Sequence, residues 1–168
     1  MRVLYIDDDR INSLLFVETC RFASGVDVET AATGAEALEL APRWKPDLLV
    51  IDLHLPDTTG YDLLPALRQA LHAPALPAFL CTADEAPLVE QPAREAGFTG
   101  CWTKPVELQK VLSELAARSA AAGIQDMISG NLDLYCPVAA GALPNIEAGS
   151  IKALAILTDQ RSPLLPQM

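Results

Sequence analysis

Leu48-Leu49-Val50-Ile51 is a run with no polar face, and the residue that follows it is Asp52. Four residues are too few for a buried helix. The run therefore reads as a strand covered on both sides, as the central strand of a parallel sheet is. Parallel neighbours need a crossover between them. Further strand-like runs stand at residues 3–6, 26–31, 78–81 and 100–103, and helical patterns fill the gaps at 11–22, 35–40, 60–71 and 86–96. A last helical pattern covers 106–118. In the first helix the apolar residues fall at 11, 14, 15, 17 and 22, a helical stripe, and in the fourth Pro92 either starts the helix or breaks it. Five such strand–helix units predict an α/β fold, a doubly wound five-stranded parallel sheet with right-handed crossovers. Function then belongs at the carboxyl ends of the strands.

Composition narrows the class of partner. The 168 residues suffice for one full domain and a small appendage. With 12 basic against 22 acidic residues the net charge is -10, which argues against binding nucleic acid or an anionic membrane. No secretion signal opens the chain and no apolar run approaches membrane-spanning length, so a cytoplasmic location is expected. Cys20, Cys81, Cys101 and Cys136 show no C-x-x-C spacing and read as reduced thiols, mostly core filler. Beyond Arg118 the character changes: residues 120–123 form a small-residue spacer, and Pro137, Pro144, Pro163 and Pro166 follow. That part, residues 120–168, reads as a small C-terminal extension with strand-like runs at 132–135 and 151–158.

Chemistry gathers at the strand ends. Asp7, Asp8 and Asp9 leave the first strand, Asp52 ends the third, Thr82 the fourth and Lys104 the fifth. In a doubly wound sheet these ends share one crevice. Three adjacent carboxylates repel, and a cation among them offsets that repulsion. Carboxylates from strands one and three suit Mg²⁺, a hard ion that takes oxygen ligands. Metal and ammonium together neutralise an incoming phosphoryl group, the Thr82 hydroxyl can donate to one of its oxygens, and a carboxylate amid them is placed as a nucleophile.

Over residues 1–119 these features resemble the response-regulator receiver family. That family carries an acidic pair after strand one, a phospho-accepting Asp after strand three, Thr or Ser after strand four and Lys-Pro after strand five. The matching residues are Asp7-Asp8, Asp52, Thr82 and Lys104-Pro105, separated by 30 residues from Asp52 to Thr82 and 22 from Thr82 to Lys104. The strings LVIDLHLPDTTGYDLL and AGFTGCWTKPVEL look like receivers of hybrid sensor kinases. The resemblance implies a flavodoxin-like sheet in the order 2-1-3-4-5 and an acyl phosphate on Asp52. It implies Mg²⁺ held by Asp8, Asp52 and the His54 backbone carbonyl, with Asp7 assisting through a metal-bound water. Lys104 would pair with the phosphate, ahead of a cis bond to Pro105. The donor would be a sensor histidine kinase or a histidine phosphotransfer protein, and the readout a protein target on the helix 4–strand 5–helix 5 face; a homodimer is left open. The chain departs from the family at Cys101, where receivers usually carry the aromatic that rotates inward on phosphorylation. Trp102 should point to the other side of the strand and cannot replace it.

Each of these residues has a plainer reading: a single Asp after a strand is usually a turn former or a helix cap. That reading is kept for Asp9, while His54 and His72 are expected to place their side chains in solvent. Cys81 and Cys101 read as buried thiols on neighbouring strands. Two rivals stand beside the receiver. An Mg²⁺-dependent phosphatase of the haloacid dehalogenase type would use Asp7 as nucleophile, with Asp7 and Asp9 as its D-x-D. A receiver-like interaction module would keep the fold and take no phosphate. Separately, residues about 129–166 resemble a segment of the periplasmic solute receptors of tripartite tricarboxylate transporters, through the strings ALPNIEAG, ALAI and RSPLLP. Most of the two lobes that form the ligand cleft in that family are absent, so a fusion remnant is expected and no binding function is carried over.

Overall fold

The run Leu48-Leu49-Val50-Ile51 does form a strand, and both its faces are covered. In the computed structural model, which describes residues 1–23, 25–129, 131, 133 and 145–152, β3 spans Leu48–Asp52 and is buried along its whole length. It is the middle strand of a five-stranded parallel sheet with β1 (Arg2–Ile6), β2 (Asp27–Ala31), β4 (Ala78–Thr82) and β5 (Gly100–Thr103). The order is β2-β1-β3-β4-β5. Between and after the strands come α1 (Arg10–Cys20), α2 (Gly34–Trp44), α3 (Gly60–Ala70), α4 (Ala86–Glu95) and α5 (Leu108–Ile128). The chain divides into two compact units, residues 1–113 and 114–168. Among the described residues no helix is long and apolar enough to cross a membrane.

Alternation along the strands builds two cores. One face carries Leu4, Ile6, Leu49, Ile51 and Leu80, packed with Ala37 and Ala41 of α2, Leu63, Leu64 and Leu67 of α3, and Val89 and Ala93 of α4. Each fully buried aliphatic side chain contributes about 2 kcal/mol. The opposite face is aromatic. Tyr5 stacks on Phe16 of α1 with ring centroids 4.3 Å apart, Phe79 stacks on Trp102 at 4.4 Å, and Phe16 lies 6.3 Å from Trp102.

Local chemistry sets where each helix starts. The Thr33 hydroxyl accepts from the Glu36 amide, and the Glu36 carboxylate accepts from the Ala32 amide, so α2 opens on a reciprocal cap. Thr59 caps α3 through the Asp62 amide. Asp9 caps α1, its Oδ1 accepting from the Ile11 N–H at 2.7 Å.

Three sequence expectations are corrected here. The apolar stripe expected over 11–22 is not the buried face of α1: Ile11, Leu14 and Leu15 are exposed, Val17 is half-buried and Phe22 lies exposed beyond the helix, while Phe16 and Cys20 are buried. The Asp9 cap and the Tyr5–Phe16 stack set the rotation of the helix, and the larger stripe is left outside. Pro92 neither starts nor breaks α4. It lies inside the helix, and Pro87 occupies the first turn, where a missing N–H leaves no helical bond unmade. The fifth helix does not end at residue 118. It runs on through the expected spacer, because three consecutive alanines are strong helix formers and the single Gly123 costs only about 1 kcal/mol. The expected strands at 132–135 and 151–158, and Cys136, lie outside the described residues except for Asp133, Ile151 and Lys152.

Gly60 carries the tightest backbone constraint near the strand ends. A Cβ there would stand 2.6 Å from the Asp52 carbonyl oxygen and 3.3 Å from the Leu53 Cα, so α3 begins against the backbone that presents Asp52. Gly60→Ala is expected to destabilise the protein by about 1–3 kcal/mol, the usual cost of overpacking, as measured by urea unfolding.

Candidate functional site

Register alone brings the polar strand ends together. Ile6 stands beside Ile51, so Asp7 comes level with Asp52, and Asp52 itself stands beside Cys81. Thr82 pairs with Thr103, one residue before Lys104, and the Lys104 amide donates to the Thr82 carbonyl at 2.7 Å. Period two along β1 and β3 places Asp7 on the same face as Tyr5, and Asp52 on the same face as Val50. Asp7 is 2% exposed, Asp52 7% and Thr82 0%, whereas Asp8 is exposed.

The Lys104 ammonium ties the carboxylates together, with Nζ 2.7 Å from Asp7 Oδ2 and 2.8 Å from Asp52 Oδ2. Burial opposes the charge on Lys104, but its hydrogen bonds to Asp52 and Asp7 and their charges outweigh that and raise its pKa. For Asp52 the balance reverses. Burial pushes its carboxyl above the ordinary range, the Lys104 hydrogen bond and charge pull it down, and the Asp7 charge pushes it up again. One ammonium gains from two carboxylates, whereas each carboxylate must share it.

Ligand atoms of Asp7, Asp8 and Asp52 all lie within 4.8 Å of one another. If all three are ionised, three negative charges less the one on Lys104 leave two, the charge of a divalent cation. The donors are hard oxygens, and one of them is open to water. The residues present fit Mg²⁺.

Around this centre the remaining candidates separate. Thr82 Oγ1 accepts from the Asp84 N–H at 3.1 Å. The His54 side chain is exposed and its Nε2 lies 3.0 Å from Asp84 Oδ2, bridging the loops after β3 and β4. His72 is exposed and away from the cluster. The Lys104–Pro105 peptide bond is cis. Cys101 packs beside the aliphatic core, while Trp102 is buried in the aromatic one, so the two lie on opposite faces of β5. Asp9 is committed to its helix cap, which removes the second acid of a D-x-D from the chemistry.

A family model, the response regulator receiver domain, matches residues 3–116. The chain belongs to the response-regulator receiver family. This receiver is 38% identical over 117 residues to the transcriptional regulatory protein KdpE of Mycobacterium tuberculosis, a match covering 68% of this chain and 49% of that protein. The chain thus spans about half the length of the curated relatives it matches first. Among solved structures, a response regulator from Chloroflexus aurantiacus aligns with a TM-score of 0.63 at 31% identity, over 68% of this chain and 93% of that one. The chemotaxis protein CheY4 of Vibrio cholerae aligns with a TM-score of 0.62 at 30% identity, over 68% and 94%. A receiver is a signalling domain rather than a conventional enzyme, and the dehalogenase-type reading falls with the family assignment.

Sequence reasoning passed over two contributors to the receiver's site. Tyr5 donates its hydroxyl to Asp7 Oδ2 at 2.7 Å. Its signal was the two-residue spacing to Asp7, which puts both on one face of β1. Burial, then Cys81 and Asp7, drive the phenol pKa far above its ordinary value, so the hydroxyl keeps its proton. Asp57 lies in the loop after β3, and its two carboxylate oxygens accept from the Gly34 and Ala35 amides at 2.9 Å each. It thereby fastens that loop to the start of α2. No local pattern marks it, since its partners are 23 and 22 residues away.

Those two amides hold the Asp57 carboxyl below the ordinary carboxylate range. A lowered folded pKa means that the stabilisation is complete above the unfolded value of about 4 and is lost as pH falls through the folded one. Asp57→Ala should therefore melt below the wild type at neutral pH, and the gap should close as melts are repeated at progressively more acidic pH.

Proposed function

We propose that this chain accepts a phosphoryl group on Asp52 from the phosphohistidine of a sensor kinase or a histidine phosphotransfer protein. The observation that supports this most directly is the buried Asp52 carboxylate, 2.8 Å from the Lys104 ammonium, with Asp7 and Asp8 beside it. An Asp52 oxygen attacks phosphorus, the nitrogen–phosphorus bond breaks, its electron pair returns to the donor imidazole, and an acyl phosphate remains. Asp8, Asp52 and the His54 carbonyl, with Asp7 assisting, would hold Mg²⁺, which supplies charge neutralisation for the phosphoryl oxygens. Lys104 keeps its proton and turns from the carboxylates toward the new phosphoryl group. Thr82 exchanges its bond from the Asp84 amide for one that it donates to a phosphoryl oxygen.

That exchange biases a two-state equilibrium in the loop after β4 and, through it, the face of α4, β5 and the start of α5 that a protein target would read. With Cys101 in place of a rotating aromatic, the signal would run through Thr82 and its loop. The exposed apolar stripe of α1, which starts directly after the acidic cluster, would seat the phosphohistidine donor. The receiver unit of this reading covers residues 1–119, acts in the cytoplasm and contacts proteins rather than nucleic acid or membrane. Residues 120–168 form a C-terminal extension, and a chain ending near Arg118 that labels like the full one would make it dispensable for the phosphorylation chemistry. Apart from accepting and losing its own phosphate, the domain catalyses nothing.

Incubation with acetyl phosphate and Mg²⁺ tests the assignment. Asp52→Asn should fold normally and take up no label; substantial labelling of that variant refutes Asp52 as the acceptor. No labelling of the wild type by either acetyl phosphate or a phosphorylated kinase supports the interaction module that takes no phosphate. Asp8→Ala should weaken Mg²⁺ binding at least tenfold by calorimetric titration. Unchanged affinity in that variant counts against the ligand set.

A further inference from the structure

Asp7 is the most heavily engaged carboxylate in the cluster. Its Oδ2 accepts from the Tyr5 hydroxyl and from Lys104 Nζ, each at 2.7 Å. Its Oδ1 accepts from the Asp9 amide at 3.0 Å and, at 3.4 Å, from Asn12 Nδ2. These four donors are not equally durable. The Asn12 bond is long, and the Asp9 bond closes a turn of two residues that moves with Asp7 itself. Lys104 is shared with Asp52 and has a second task at the phosphoryl group. Tyr5 alone is anchored from behind: its ring is 2% exposed and stacked on Phe16. Its backbone sits inside β1, flanked by β2 through Thr30 and by β3 through Val50.

A phenol at this place needs explaining. Every other residue of β1 from Val3 to Ile6 is a buried aliphatic, and an aliphatic or a phenylalanine would fill the space without a polar atom to satisfy. The hydroxyl is accommodated because it ends on a carboxylate, which makes the bond charge-assisted.

Building on the function proposed above, we propose that Tyr5 is a positioning residue for the metal, its hydroxyl holding one Asp7 oxygen so that the carboxylate cannot rotate out of the Asp7–Asp8–Asp52 cluster. The arrangement is an outer layer to the metal site: Asp7 would assist the metal through a bound water, and Tyr5 fixes the orientation of the carboxylate that would hold that water. It persists when Lys104 turns to the phosphoryl group, because Tyr5 does not depend on that side chain.

The test uses the full chain without phosphate donor. Tyr5→Phe keeps the ring and its stack on Phe16, so the variant should still fold cooperatively, with a metal-free melting temperature lowered by the loss of one charge-assisted bond. Its Mg²⁺ dissociation constant, by calorimetric titration, should rise about tenfold. An unchanged dissociation constant, with or without a drop in melting temperature, overturns the proposal and makes Tyr5 a packing residue. A second reading needs no variant: in wild-type protein labelled with carbon-13 at the tyrosine Cζ, the Tyr5 signal should move on addition of Mg²⁺, and a stationary signal overturns the proposal. Asp8→Ala separates the two levels. If it loses Mg²⁺ while Tyr5→Phe does not, the metal site stands and the role of Tyr5 falls. If the wild type binds no Mg²⁺, both fall.

Discussion

Lys104 is the one cation that the buried centre cannot do without. Removing two carboxylates from water and setting them side by side is unfavourable, and their attraction to a single ammonium offsets it only because the contacts are short. Much of the fold serves that geometry. Parallel register levels Asp7 with Asp52, and the bond from the Lys104 amide to the Thr82 carbonyl carries β4 and β5 up to the same height. The aliphatic and aromatic layers on the two faces of the sheet then hold the strand ends still. The ammonium offsets part of the charge of the cluster, and with all three carboxylates ionised the charge it leaves is that of a divalent cation.

Strand existence and the members of the acidic cluster were legible in the sequence for physical reasons, whereas the strand order came from the resemblance to receivers. Each strand is a short apolar run, and each functional residue is the polar residue that ends one. Apolar packing and polar chemistry are therefore separated along the chain and can be read one after the other, although Asp7, Asp52 and Thr82 are themselves buried. Asp9 was legible in the same way, as a short polar residue placed where a helix begins.

What was not legible depended on rotation about an axis or on distant partners. The stripe of α1 has the spacing of a buried face, yet Phe16 and Cys20 face the sheet instead. Phe16 and Cys20 outweighed the three exposed aliphatic residues of the helix, because the Asp9 cap and the stack of Phe16 on Tyr5 set the helix phase. The end of α5 was misplaced since small residues were read as a spacer, although alanine is the best of helix formers. Asp57 and Asp84 act through partners on other loops, and nothing in their neighbours records it.

The segment between Asp52 and α3 is tied at its neck. The Gly60 amide donates to the Leu53 carbonyl at 2.9 Å, the Leu55 amide to the Thr58 carbonyl at 3.2 Å, and His54 and Thr59 form a bridge between those two bonds. Such a miniature ladder counts residues. Adding or deleting one would shift every rung and carry Gly60 away from the single place where α3 can touch the Asp52 backbone. Residue identity at the tip, at Pro56 and Asp57, is free to drift so far as this ladder is concerned, but the length of the segment is not. In this stretch the ladder constrains spacing, while Asp57, Thr59 and Gly60 are constrained as individual residues as well.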